Sequence, residues 1–317
     1  MVKKALVLLW LVLVGSQSNA QKAKVTSTIN FTGSIGKYAI EMKLMLNRFN
    51  DTISGEYYYV KSGKQNKIYL SGILKNGSLK LTESSYNLKK RKIEDTGFLT
   101  MVYVGQTSLT GKWQKNERNT AADQELTVKL NVRENLKAFN PIGFDFIISK
   151  KRPSYENVTE NESKYFTIMS LQVNANKGNR WVLKGFDEHN LVKDEVNLED
   201  VNFDGFLDIK VPIYYPDMAK NDYSYIYFIY DSKTKSFKKN RPLNDLGVLD
   251  FDAVHKEVVG YDADGSGNEG TRNYKWVNGA IFIYKEERVY ENDPYTHFTD
   301  YKIINGKSIV AKKYKVK

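Results

Sequence analysis

The chain has 317 residues, no Cys and 41% hydrophobic residues, so it holds enough apolar material for one large or two ordinary cores and is not a disordered polymer. Without Cys it has no disulfide framework. The net charge of +11 invites a nucleic-acid interpretation. The lysines are scattered, however, with residues 88–92 as the one dense run, and no nucleic-acid-binding motif accompanies them. We therefore expect no nucleic-acid partner.

The first twenty residues have the pattern of a secretory signal peptide. Two lysines precede an apolar run from Ala5 to Val14, and Ser18 and Ala20 are spaced like the small residues of a cleavage site. The apolar run is too short for an ordinary spanning helix, and no later stretch approaches the roughly 20 apolar residues that a span needs. We therefore expect an exported bacterial protein, periplasmic or secreted, with no membrane span and no Cys to carry a lipid.

The segment from about 25 to 135 has the pattern of antiparallel strands. Between residues 38 and 46, four apolar side chains alternate with their neighbours, which is typical of a strand with one buried face; they are Ile40, Met42, Leu44 and Leu46. Similar runs follow at 52–60, 67–74, 78–83, 97–105, 108–114 and 124–132. Asn76-Gly77 between two of these runs supplies the positive φ angles of a tight hairpin. The pattern predicts a meander that closes into a barrel or folds into a sandwich.

The strand pattern weakens between residues 134 and 162, where we place a linker. Beyond it strand signals resume, and the Asn-Gly pairs at 278 and 305 predict two more hairpins. The sequence thus predicts an all-β chain with little helix, divided into a signal peptide at 1–20, the meander at 21–137, and a second, sandwich-like β domain at 138–317.

The stretch "EDVNFDGFLDIKV" at 199–211 places oxygen-bearing groups at alternate positions. The candidate metal ligands are the side chains of Asp200, Asn202, Asp204 and Asp208 and the carbonyl of Phe206. Gly205 permits a sharp turn between them, and calcium takes six to eight oxygen ligands at ~2.3–2.6 Å. The twelfth position, where an EF-hand carries a bidentate Glu, is Val211. The spacing therefore predicts a calcium loop that leads into a strand, which makes 138–317 a calcium-binding domain.

The charge around this loop supports the same interpretation. Residues 194–209 contain six acids and no Lys or Arg, although the chain is basic. Carboxylates that lie so near to one another repel unless they are solvated, protonated or bridged by a cation. The alternative is a turn rich in Asp and Asn whose side chains bond their own backbone.

The sequence also resembles a known family over about residues 165–290. The stretch "DVNFDGFLDI", followed by "YSYIYFIYDSKTKSF" and then "NYKWVNGAIFIY", is similar to exported bacterial calcium-binding β domains related to periplasmic lysozyme inhibitors. The resemblance implies a β-sandwich or propeller-like fold and, in some members, inhibition of enzymes that cleave peptidoglycan. It also implies a calcium ion held by Asp200, Asn202, Asp204 and Asp208. The N-terminal meander lies outside it.

Other candidate sites have weaker patterns. The stretch 261–270 is a possible second ion site or a solvated loop, and its oxygen-bearing side chains are Asp262, Asp264, Asn268 and Glu269. The three His, at 189, 255 and 297, show no metal-ligand spacing. Ser54-Gly55-Glu56 followed by Tyr57 resembles a short motif of lysozyme inhibitors, but it falls in a predicted strand where Gly and Tyr serve packing. No residue has the pattern of a catalytic nucleophile.

Three functions remain open on the sequence. The first is a non-enzymatic calcium-binding protein that binds another macromolecule of the cell envelope, a protein or a glycan, with inhibition of a peptidoglycan hydrolase as one form. The second is a glycan hydrolase that uses acids of the 194–208 or 262–269 loops. The third is a carrier of a small molecule or lipid, with the meander as a barrel around an apolar cavity. We expect the first.

Overall fold

The computed structural model describes residues 19–87, 89–105, 107–115, 125–151, 166–175, 178–186, 191–214 and 223–317. Most of this is strand and very little is helix, which confirms the predicted all-β class. The described helices are α1 (Arg241–Asn244) and two 3-10 turns, Val60–Ser62 and Pro141–Gly143. No helix in these ranges is long and apolar enough to cross a membrane. The predicted signal peptide, apart from residues 19 and 20, lies outside the described residues.

After a short strand β1 (Asn19–Lys22), the next eight strands form a closed antiparallel barrel. They are β2 (Lys24–Ile35), β3 (Tyr38–Asn47), β4 (Thr52–Tyr59), β5 (Ile68–Lys75), β6 (Ser78–Asn87), β7 (Lys92–Val104), β8 (Ser108–Gln114) and β9 (Glu125–Val132). Each strand pairs with the next, and β9 returns to β2 in the register Phe31↔Val132. Of the two predicted arrangements of the meander, the chain adopts the barrel.

The barrel interior is filled by the side chains that the alternation predicts. In β3 the four apolar residues Ile40, Met42, Leu44 and Leu46 are all buried. The largest enclosed side chains include Phe31, Tyr57 and Met101. In the Ser-Gly-Glu-Tyr stretch of β4, a Cβ on Gly55 would lie 2.3 Å from the Lys43 carbonyl oxygen, so this glycine serves packing, as expected from the sequence.

The second half of the chain begins with eight strands that extend the barrel's sheet. They are β10 (Asp145–Lys151), β11 (Phe166–Asn174), β12 (Arg180–Leu183), β13 (Leu191–Val192), β14 (Glu195–Glu199), β15 (Asp208–Tyr214), β16 (Tyr223–Asp231) and β17 (Ser236–Lys239). Strand β14 runs parallel to β2, and β1 pairs with β10. These two pairings join segments that the sequence analysis assigns to different domains.

The last six strands form a separate antiparallel sheet. They are β18 (Val248–Asp252), β19 (Glu257–Ala263), β20 (Glu269–Val277), β21 (Ala280–Val289), β22 (Thr296–Ile304) and β23 (Lys307–Val316). Asn278 and Asn305 have φ of 51° and 50° in the turns between β20 and β21 and between β22 and β23, where the Asn-Gly pairs predict hairpins.

Two hydrophobic clusters lie beneath these sheets. The larger contains side chains from residue 23 to residue 237, so it extends across the predicted domain boundary at 137/138. The smaller joins Val201 and Phe203 to Phe251 and Val258 of the last sheet, which packs there as a second layer. The division into separable domains stays a prediction, and the larger cluster shows that the two segments share apolar packing.

Candidate metal centre

The predicted calcium loop joins β14 to β15 and is anchored to both hydrophobic clusters. Val201 and Phe203 enter the smaller cluster, and Leu207 enters the larger one. Phe203 and Gly205 adopt positive φ, at 60° and 90°, so the backbone curls between the two strands. The apolar residues of the loop therefore hold its polar residues at a fixed place in the fold.

Asp200 lies at the start of the loop and is 7% exposed. Its carboxylate accepts hydrogen bonds from the backbone N–H of Asp204, at 3.2 Å, and of Gly205, at 2.8 Å. These bonds draw the middle of the loop back over its first residue. Such bonds are those of the Asp- and Asn-rich turn that the sequence offers as the alternative to a calcium site, and they do not by themselves indicate an ion.

Asp208 lies at the other end and is fully buried. One carboxylate oxygen accepts the N–H of Val201 at 3.0 Å, and the other accepts the N–H of Tyr230, on β16, at 2.8 Å. The side chain of Asp204, by contrast, is exposed and accepts the N–H of Phe206 at 2.9 Å. The loop thus has two buried carboxylates at its base and one at its rim.

The electrostatics of the base are unfavourable to negative charge. Burial, reinforced by the carboxylates of Asp204 and Glu134, raises the pKa of Asp200 to about 7 despite its backbone hydrogen bonds. Burial, reinforced by Asp200 and Asp204, likewise raises the pKa of Asp208 well above its usual value. No Lys or Arg among the described residues forms an ion pair with any of these three aspartates. When ionised, these carboxylates therefore have backbone N–H donors but no cationic partner among the described residues.

Glu134 is a neighbour of this site that the spacing of the loop does not indicate. It is 5% exposed, and its carboxylate accepts the backbone N–H and the side-chain amide of Asn30, at 3.0 and 2.8 Å. The next residue donates its N–H to the Gly205 carbonyl at 2.7 Å. Glu134 precedes the loop by 66 positions in the sequence, so no local spacing could have indicated it.

The donor set of the loop is chemically suited to a hard cation. The predicted ligands are all oxygens, and a carboxylate has about four lone-pair sites, so one that accepts two N–H groups retains capacity for a metal. Across the described ranges, however, no three His, Cys, Asp or Glu side chains already converge closely enough to hold a metal ion. The oxygen ligands of the loop are therefore of the kind that calcium takes, but they would have to draw together to hold an ion.

The second acidic stretch, at 261–270, has a different character. Asp262 accepts hydrogen bonds from Arg288 at 3.1 and 3.0 Å and pairs with Arg272 at 3.1 Å. Asp264 is exposed and accepts two hydrogen bonds from Ser266 within the turn. Asp262 thus has two cationic partners and Asp264 is solvated, so neither is a buried carboxylate without a cation, as Asp200 and Asp208 are.

A buried ion-pair network lies beside the loop, and the sequence pattern does not indicate it. Glu199 is 4% exposed and binds Lys210 at 2.6 Å and Lys43, on the barrel strand β3, at 3.1 Å. Burial alone would raise the pKa of Glu199, but the two ammonium groups outweigh it and hold the pKa at about 2. Lys43 also reaches Asp250 on β18 at 3.1 Å. The network thus ties β3 of the barrel to β14 and β15 of the same sheet and to β18 of the last sheet.

Comparison with known proteins does not assign the chain to a family. No family model matches the chain, and no curated protein matches it. Among solved structures, it is similar to a Xanthomonas protein related to a type IV secretion system, with 15% identity and a TM-score of 0.42 over 54% of this chain and 90% of that one. A proposed 6-phosphogluconolactonase from Bacteroides uniformis has 8% identity and a TM-score of 0.24 over 91% of this chain and 99% of that one. Both scores are too low to carry an argument about function.

Proposed function

We propose that this chain is an exported, non-enzymatic protein that binds one calcium ion in the 200–208 loop and another macromolecule of the cell envelope through the fold that the ion stabilises. The observation that carries the proposal is the pair of buried carboxylates, Asp200 and Asp208, which have no cationic partner among the described residues. An uncompensated buried charge is costly, and a bound divalent cation removes that cost.

The position of the loop gives calcium a structural role in the proposal. The Gly205 carbonyl accepts the N–H of Asn135 from the segment after the barrel, at 2.7 Å. On the other side, the indole N–H of Trp276, in the last sheet, donates to the Val201 carbonyl at 2.9 Å. Because the loop contacts both parts, an ion that fixes its backbone also fixes how barrel and last sheet are held together. Calcium would supply charge neutralisation and rigidity here.

The acids of the 194–208 stretch give less support to a glycan hydrolase. Glu199 is engaged with two lysines, Asp194 pairs with Lys150 at 3.3 Å, and Asp208 has no exposed surface. A glycosidase needs two carboxyl groups that both reach the substrate. The packed barrel interior likewise gives no support to a carrier that encloses its ligand inside the barrel.

Inhibition of a peptidoglycan hydrolase is the specific form of the binding function that we propose. It rests on the resemblance of residues 165–290 to calcium-binding domains related to lysozyme inhibitors. The basic charge of the chain restricts the target, because like charges slow encounter and weaken a complex. We therefore expect an acidic hydrolase rather than a basic lysozyme as the partner.

Clearing of a peptidoglycan suspension tests this proposal. The mature protein should slow an acidic peptidoglycan hydrolase at near-stoichiometric ratio in calcium, and should slow it less in chelator. The Asp204→Ala variant should behave in calcium as the unaltered protein does in chelator, whereas Asp264→Ala, in the second acidic loop, is the matched control and should retain full inhibition. Release of sugar products by the protein alone would instead establish the hydrolase alternative.

A further inference from the structure

A cavity of about 250 Å³ lies at one end of the barrel, outside its filled interior. The turn between β3 and β4, the ends of β5 and β7, and the segment after β9 surround it. Among the described residues its wall is mainly apolar, formed by Leu46, Ile53, Leu74, Tyr103, Leu136 and Ile142. The cavity is remote in sequence from the acids of the calcium loop and shares none of them.

The wall of this cavity is held in place by Arg48. Its guanidinium donates hydrogen bonds to the carbonyls of Ile142 and Phe144, the latter at 2.8 Å. Asn140 accepts the N–H of Ile142 at 3.1 Å and so starts the 3-10 turn at Pro141–Gly143. The segment that forms one side of the cavity is thus fastened to the barrel through its backbone carbonyls, which makes the cavity part of the fold.

The volume limits what the cavity accommodates. An apolar cavity of ~150 Å³ holds benzene, and pockets for drug-sized ligands span about 300–1,000 Å³. A cavity of about 250 Å³ lies between these limits. The matching ligand has roughly the size of two fused aromatic rings or of a chain of about ten carbons.

The polar groups of the wall further limit which ligands fit the cavity. Asn47 and Asn140 each already accept a backbone N–H, from Phe49 at 2.9 Å and from Ile142 at 3.1 Å. The Tyr103 hydroxyl has no hydrogen-bond partner among the described residues. Arg48 and Asp51 bring one charge of each sign to the wall, which favours an uncharged ligand.

We propose that this cavity is a binding site for one small, uncharged and mainly apolar molecule, with a single hydroxyl or carbonyl group that hydrogen-bonds to Tyr103. Burial of the apolar part supplies the affinity, and the hydrogen bond orients the ligand. None of the predicted calcium ligands lines the site, so we expect it to bind its ligand both with and without calcium.

Binding of 2-naphthol and of naphthalene, followed by the fluorescence of each probe, tests the site. The unaltered protein should bind both at one molecule per chain, in calcium and in chelator. Tyr103→Phe should weaken the binding of 2-naphthol by about 5–10-fold, because one hydrogen bond is lost, and should leave the binding of naphthalene unchanged. Leu74→Trp should fill the cavity and abolish the binding of both probes. Val102→Trp, at an exposed position of β7, is the matched control and should bind both probes normally.

Circular dichroism melts establish that each variant is folded. If Leu74→Trp does not fold, the different response of the two probes to Tyr103→Phe still decides the matter. Failure of the unaltered protein to bind either probe saturably would overturn the proposal. Equal weakening of both probes by Tyr103→Phe, or full binding by a folded Leu74→Trp, would also overturn it.

Discussion

At the scale of single residues, the buried Glu199 network should contribute strongly to stability. Glu199→Gln keeps the size of the side chain but leaves the ammonium groups of Lys43 and Lys210 without their buried counter-charge. Loss of one partner from a buried ion pair costs about 3–5 kcal/mol of unfolding free energy, which urea denaturation measures. Lys64→Met, which removes the more exposed pair with Asp252, should cost about 1 kcal/mol at most.

The pH dependence of the same variant gives a second check on Glu199. Its pKa is lowered from 4.5 in the unfolded chain to about 2 in the fold, so its ionised form stabilises the protein above pH 4.5. That contribution is lost as the pH falls from 4.5 to about 2. The difference in unfolding free energy between the unaltered protein and Glu199→Gln should therefore shrink across this window. A difference that stayed constant down to pH 2 would show that the charge is not the cause.

Gly205 is the residue on which the shape of the loop depends. Its φ of 90° is one that side chains rarely adopt, although a Cβ there would meet no atom closer than 3.9 Å. Gly205→Ala should therefore cost about 1–2 kcal/mol of unfolding free energy through backbone strain alone. Melts in chelator, where calcium binding plays no part, isolate that cost. An unchanged midpoint would mean that the loop relaxes freely.

At the scale of elements, close crossings of the barrel strands depend on glycine. A Cβ on Gly72 of β5 would lie 1.9 Å from the Lys80 carbonyl oxygen on β6. Gly72→Ala must push the two strands apart, so it should destabilise the protein by at least about 1–3 kcal/mol in urea denaturation. Ser71→Ala, at the exposed neighbouring position, should change stability by less than about 0.5 kcal/mol. Equal effects of the two substitutions would contradict the packing argument.

The strands themselves could be predicted from the sequence because their signals are local. Alternation in β3 and the Asn-Gly turns at 76, 278 and 305 depend on residues that are adjacent in the chain. The parallel pairing of β14 with β2 could not be predicted in this way, since it joins Val196 to Val25, which are far apart in the sequence. The same limit applies to the site. The loop spacing indicates Asp200 and Asp208, whereas Glu134 and Lys43 approach it only through the fold.

At the scale of the whole molecule, calcium should raise thermal stability. A ligand that binds only the folded state adds RT ln(1 + [L]/Kd), which is about 2.7 kcal/mol at a hundred times Kd. For a chain of this size that corresponds to a rise of roughly 4 °C in Tm. The rise should be largely absent in Asp204→Ala and retained in Asp264→Ala. Equal shifts in both variants would place the effect outside the 200–208 loop.

Calorimetric titration of calcium into the chelator-treated protein tests the central claim most directly. We predict one ion per chain with a Kd of ~10⁻⁴–10⁻³ M, weaker than an EF-hand buffer because Val211 stands where a bidentate Glu would bind. Asp204→Ala should abolish the binding. Absence of saturable calcium binding by the unaltered protein, or equal binding by Asp204→Ala, would contradict the claim and leave residues 200–208 as a hydrogen-bonded turn.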